Sequence, residues 1–176
     1  MHKPLTKTKI KKLNKSSADE INPELNIVLL LQDLEDPVNV GAFFRIADAA
    51  GVSRLVLTGN TPTPPNPKVS MVSRGFERRI PWSKVADTKQ AIEDLRQEGF
   101  EIIAAELTES SVNYSKYKYS SRICLVMGNE PKGVYKNVLE LCDAAVHIPM
   151  LGKGPSLNVH TAGAVIVYEI ISQHMN

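Results

Sequence analysis

The chain has 176 residues, 43% of them hydrophobic, two cysteines and a formal net charge of +2. That supports one domain with a real core and not two ordinary ones. No apolar run reaches the ~20 residues of a membrane span, and Cys124 and Cys142 sit in apolar contexts outside any CxxC pair, so they read as reduced core thiols.

Residues 1–15 hold six lysines and no acid, while the other 161 residues hold 15 basic and 19 acidic side chains. The basic character is therefore concentrated at one end. Residues 1–24 show no periodicity and are expected to form a disordered arm, suited to a polyanion or simply solvated. No apolar stretch follows the lysines, as a secretory signal would need, so the expected location is the cytoplasm. With four scattered histidines and two cysteines, no metal site is expected.

From residue 25 to 176 a single domain is expected, in which strands and helices alternate. Residues 27–32 form a continuous apolar run, long enough for a buried strand. Residues 39–50 have helical spacing and stop at Gly51. A strand over 54–58 precedes a loop over 59–67, which has four prolines in nine residues. Residues 69–81 suggest a short helix and then a short strand. Residues 87–98 are an amphipathic helix closed by Gly99, and 100–105 a strand. The tyrosine-bearing stretch 110–121 has no clear period. Then come a strand (123–127), a short helix (134–141), a strand (144–148) and a final helix (157–172) with Ser156 as its N-cap.

This rhythm predicts an α/β fold: a mainly parallel sheet with helices on both faces and ligands at the carboxyl ends of the strands. The loops at 33–39, 106–110, 128–133 and 149–156 are the ones to watch. Among known motifs, GxGxxG does not follow the first strand. Gly128 and Gly133 have phosphate-loop spacing, but Val134 follows where lysine and a hydroxyl are needed. No GxSxG elbow exists.

Three segments remain, each at the end of an expected strand. They are Asp33-Leu-Glu-Asp-Pro-Val-Asn-Val-Gly41 leading to Phe43-Phe-Arg-Ile-Ala-Asp-Ala-Ala-Gly51, then Leu125-Val-Met-Gly-Asn-Glu-Pro-Lys-Gly133, and His147-Ile-Pro-Met150 with Ser156-Leu-Asn158. Together and in this order they resemble the SpoU (TrmH-like) branch of the SPOUT RNA methyltransferases, over residues 26–172. The resemblance implies S-adenosylmethionine as cofactor and methylation of a ribose 2′-hydroxyl in tRNA or rRNA, with tRNA favoured by the compact size. It also implies a homodimer with its active sites at the interface and a deep trefoil knot in the C-terminal part. Family members often carry a separate N-terminal RNA-binding domain, and the 25 residues before the first strand are too few for one. A non-catalytic RNA-binding protein with the same fold is the alternative.

The residues carry both ordinary and functional readings. Asn39 could cap the first helix; the resemblance gives it a polar role at the site. Arg45, between Phe44 and Ile46, could pair with Asp48; the resemblance makes it a substrate contact. A guanidinium with a pKa above ~12 is a poor base, so a clamp on phosphate and developing alkoxide suits Arg45 better. Glu130 could be a helix-start charge, or hold Asn39 or Arg45. Gly128 fits close approach of backbone to a ligand, or a tight turn. Ser156 and Asn158 are implied as polar active-site contacts. Leu107, Gly128, Ile148, Met150, Ser156 and Leu157 are implied around the cofactor. Lys68, Arg74, Arg78 and Arg79 around Trp82 form a candidate RNA-binding patch. His160 reads as structural, and Tyr114, Tyr117 and Tyr119 as packing residues or base-stacking platforms.

Overall fold

The computed structural model describes residues 3–175. Seven strands form one sheet: β1 (Asn26–Gln32), β2 (Arg54–Thr58), β3 (Trp82–Val85), β4 (Glu101–Ala105), β5 (Val112–Asn113), β6 (Arg122–Met127) and β7 (Ala144–His147). Their order is β3-β2-β1-β6-β4-β7-β5, and every neighbouring pair is parallel. Parallel central strands are covered on both faces, which is why β1 and β6 read as unbroken apolar runs. The helices are α1 (Lys7–Asp19), α2 (Pro37–Ala50), α3 (Pro67–Ser73), α4 (Thr88–Gln97), α5 (Lys136–Leu139) and α6 (Val159–Gln173).

Alternation along β1 sends its side chains to two cores. Leu29 and Leu31 join Phe43, Leu55, Leu125 and Ile166 beneath α2 and α6. Val28 and Leu30 join Ile92, Leu95, Ile102 and Val126 beneath α4. Helix α2 packs closely on α3 because residue 41 is glycine: an added Cβ would lie 2.7 Å from Val72 Cβ and 2.8 Å from the Val69 carbonyl oxygen. Gly163 lets α6 approach the ring of Phe43 in the same way, since a Cβ there would meet Phe43 Cε1 at 2.6 Å.

Several boundaries differ from the sequence reading. Helix α2 starts with Asp36 as its cap, whose side chain accepts from Val38 N at 2.9 Å, and with Pro37 in its first turn. Proline fits there because the first helical N–H has no partner anyway. Asn39 is thus the third helical residue, not a cap, and its carboxamide is free for other bonds. Asn158 and not Ser156 caps α6, accepting from His160 N at 3.0 Å. The loop before it runs two residues longer than expected, so Leu157 stays outside the helix.

Strand β3 forms at Trp82–Val85, beyond the ambiguous 69–81 stretch, with its two middle residues exposed. Residues 7–19 form helix α1, where an aperiodic arm was expected. Thr6 accepts from Lys9 N, and no residue of α1 is buried. Its link to the domain lies just beyond its end, where Asn22 N donates to the His174 carbonyl at 2.9 Å. Among the described residues no helix is long and apolar enough to cross a membrane.

The substitution Gly41→Ala is expected to cost about 1–3 kcal/mol, as overpacking of a tight contact does, because the Val69 carbonyl is backbone and cannot turn aside. Urea denaturation of the variant checks this; an unchanged midpoint would contradict the close α2–α3 contact.

Candidate active site

The cleft lies at the carboxyl ends of β4, β6 and β7, as expected for an open parallel sheet. It has a volume of about 940 Å³. Leu107 enters it from the segment after β4, and Gly128 and Glu130 from the loop after β6. Ile148, Met150, Ser156, Leu157 and Asn158 come from the long segment between β7 and α6. All residues expected around a cofactor thus line one cavity. Leu107, Met150 and Leu157 keep 69%, 38% and 39% of their surface exposed, so the wall offers apolar side chains without a filled core behind them.

The loop after β6 is shaped for this position. Asn129 and Gly133 bridge to each other across the turn, with Gly133 N donating to the Asn129 carbonyl at 2.8 Å. A Cβ on Gly128 would collide with Val134 N and the Gly133 carbonyl group. The tight turn therefore requires glycine there. Glu106, also in the cleft wall, accepts from Val134 N at 2.7 Å and from Leu107 N at 3.0 Å. It pins the loop to the end of β4. Asn129, nearly fully buried, donates to the Asp33 carbonyl at 2.7 Å and to Glu35 Oε1 at 3.1 Å.

A chain of bonds crosses the cleft mouth. Glu130 Oε1 accepts from Asn39 Nδ2 at 2.8 Å and from Asp36 N at 3.1 Å, while Oε2 accepts from Glu35 N at 2.8 Å. Asn39 Oδ1 accepts from Asn158 Nδ2 at 3.2 Å and bonds His160 Nδ1 at 2.8 Å. Glu130 thus holds Asn39 and not Arg45. Burial alone would raise the pKa of Glu130, but the bonds from Asn39 and from the Glu35 and Asp36 amides outweigh it, so the carboxyl titrates below 4.5. Burial pushes His160 below 6.5, with Asp36 opposing in part.

Arg45 lies outside this arrangement. It is exposed on α2, lines no part of the cleft, and pairs with neither Asp48 nor any other acid among the described residues. Lys68, Arg74, Arg78 and Arg79 are all exposed around α3 and the turn after it. Arg79 stacks over Phe76, 5.6 Å from the ring centroid. Trp82 does not belong to that surface: it packs edge-on against Phe44 at 6.5 Å. The tyrosines pack. Tyr119 Oη donates to the Tyr114 carbonyl at 2.9 Å, and Tyr117 Oη donates to Glu101 Oε1 at 2.5 Å.

Residues 26–168 match the model of the SpoU rRNA Methylase family. The chain belongs to that family. Among SpoU proteins it is 33% identical over 147 residues to a putative TrmH family tRNA/rRNA methyltransferase of Staphylococcus saprophyticus, covering 84% of this chain and 59% of that protein. It is 30% identical over 167 residues to the 23S rRNA (guanosine-2′-O-)-methyltransferase RlmB of Vibrio parahaemolyticus, covering 94% of this chain and 67% of that one. The AdoMet-bound rRNA methyltransferase of Sinorhizobium meliloti has the same fold, with a TM-score of 0.79 at 25% identity over 97% of this chain and 71% of its own. The chain thus spans about three fifths of the staphylococcal SpoU relative.

Because the native pKa of Glu130 is depressed, its ionised form adds stability above the ordinary carboxylate range and loses it as pH falls through the lowered value. Glu130→Gln is expected to be less stable than wild type by about 1 kcal/mol near pH 7, a modest figure for a half-exposed group. The gap should close in acid, below 4.5. Urea denaturation across that range reads it; a gap independent of pH would mean that charge plays no part.

Proposed function

We propose that this chain transfers a methyl group from S-adenosylmethionine to a ribose 2′-hydroxyl of a structured RNA. The observation that carries this reading is the Glu130–Asn39–Asn158 chain at the mouth of a cleft that combines polar groups with apolar side chains. The cavity size and the apolar faces of Ile148, Met150 and Leu157 suit a neutral adenosine, and the backbone at Gly128 leaves no room for a side chain in that wall. When bound, the cofactor supplies an electrophilic methyl on a sulfonium.

The protein's task is then alignment of an in-line attack, which accounts for most of what such a site needs. Asn39, Ser156 and Asn158 orient the ribose. Glu130 holds Asn39 in place and stays ionised. Arg45 grips phosphate bidentately and stabilises charge developing on the attacking oxygen, while the hydroxyl proton leaves to the RNA phosphate or water. Arg45 is exposed and does not line its own cleft, which favours a homodimer in which each arginine serves the partner's site. The deep trefoil knot that the family resemblance implies would involve the segment between β7 and α6.

Lys68, Arg74, Arg78 and Arg79, together with the lysines of α1, supply the RNA-binding charge. The staphylococcal and Vibrio relatives are named for tRNA/rRNA and 23S rRNA, respectively. Methylation of purified tRNA and rRNA side by side decides between them.

Arg45→Ala is expected to lower single-turnover methyl transfer to RNA about 100-fold or more, as loss of a charge-stabilising donor does, with cofactor affinity by calorimetry unchanged. Full activity in the variant would remove Arg45 from the mechanism. Wild type that binds RNA but transfers no labelled methyl would favour the non-catalytic alternative. Deleting residues 1–20 should weaken RNA binding and flatten its salt dependence, since each lost phosphate contact lowers the slope. An unchanged slope would make α1 irrelevant to RNA.

A further inference from the structure

Two titratable side chains bond the buried carboxamide of Asn39, and they do so from opposite ends. Glu130 takes its Nδ2 at 2.8 Å and His160 Nδ1 meets its Oδ1 at 2.8 Å. The proton positions follow from chemistry. An ionised carboxylate only accepts, so Asn39 must present Nδ2 to Glu130. Its Oδ1 carries no hydrogen, so both Asn158 Nδ2 and His160 Nδ1 must donate to it. Asn158 is fixed independently, because its own Oδ1 accepts from His160 N at 3.0 Å. The imidazole is therefore held with hydrogen on Nδ1, and in the neutral ring Nε2 is bare.

We infer that His160 is a positioning residue for methyl transfer: its Nδ1–H locks the Asn39 carboxamide against α6, so that Asn39 and Asn158 keep one relative alignment. The catalytic part of this inference rests on the methyl-transfer reading above; the bond itself does not. His160 does not line the cleft, so it acts through Asn39 and not on the reacting atoms. Buried carboxamides joined to only one element can pivot. Here Glu130 fixes Asn39 to the loop after β6, and the pair from the first turn of α6 fixes it to the far wall. Burial, which lowers the pKa of His160, keeps the ring neutral near pH 7, so no uncompensated charge enters the bond chain.

The test uses three variants of the full chain. Asparagine places its Nδ2 where the histidine Nδ1 stands, glutamine places its amide where Nε2 stands, and alanine places nothing. His160→Ala and His160→Gln are expected to lose about tenfold in kcat, the worth of one well-placed hydrogen bond, with KM for S-adenosylmethionine unchanged within about twofold. His160→Asn should retain kcat within about threefold. In the same proteins without substrate, nitrogen-15 spectra should show His160 protonated on Nδ1 and bare on Nε2. The Asn39 side-chain resonance should move in the alanine and glutamine variants and stay in the asparagine one. An asparagine variant as slow as the alanine one, an alanine variant as fast as wild type, or a bare Nδ1 overturns the inference. If wild type transfers no methyl to RNA, the activity reading fails, while the spectra still decide whether His160 fixes Asn39.

Discussion

The ionised carboxylate of Glu130 is the constraint on which the site depends. It accepts one side-chain and two backbone N–H bonds, all from the segment that ends β1 and starts α2. Residues 91 positions apart are joined by the bond to Asn39. A buried carboxamide without such partners would carry a desolvation penalty of about 1–3 kcal/mol, so the bond chain is self-enforcing. Removing one member leaves a buried polar atom exposed to nothing.

The sheet order explains why this contact is possible. Strand β6 inserts between β1 and β4, so the loops after β1 and β6 emerge side by side. Asn129 ties the same two loops a second time, and Glu106 ties the loop after β6 to the end of β4. Three separately encoded loops become one rigid rim, and the segment from β7 to α6 forms the remaining wall. The proposed methyl transfer, an in-line attack, would need that rigidity. The exposed Met150 and Leu157 in the last wall are apolar surface open to the cleft.

Much of this was legible in the residues. Strands β1, β2, β4 and β6 and helix α4 follow from apolar runs or helical spacing, because both sheet faces are buried. Leu107, Gly128, Ile148, Met150, Ser156 and Leu157 were singled out through the family motifs, and they line one cleft. Other features were hidden for physical reasons. Strand β3 lies at the sheet edge with Ser83 and Lys84 exposed, so it lacks the apolar signature. Helix α1 is polar nearly all round and buries no residue, so it lacks the apolar stripe by which a helix is read from sequence. The caps at Asp36 and Asn158 compete with Asn39 and Ser156, which are chemically equivalent candidates a few residues away, and only the backbone decides among them. His160 reads as structural because nothing in the sequence reveals that its ring meets Asn39. Arg45 lies exposed on α2 and lines no part of the cleft of its own chain, which its place between Phe44 and Ile46 did not reveal.

The central claim is that Glu130 and Asn39 act as one unit. A double-mutant cycle with Glu130→Ala and Asn39→Ala, followed by urea denaturation near neutral pH, measures it directly. A coupling energy of about 0.5–3 kcal/mol is predicted for residues in one hydrogen-bond network. Losses that simply add, within about 0.5 kcal/mol, would contradict the account.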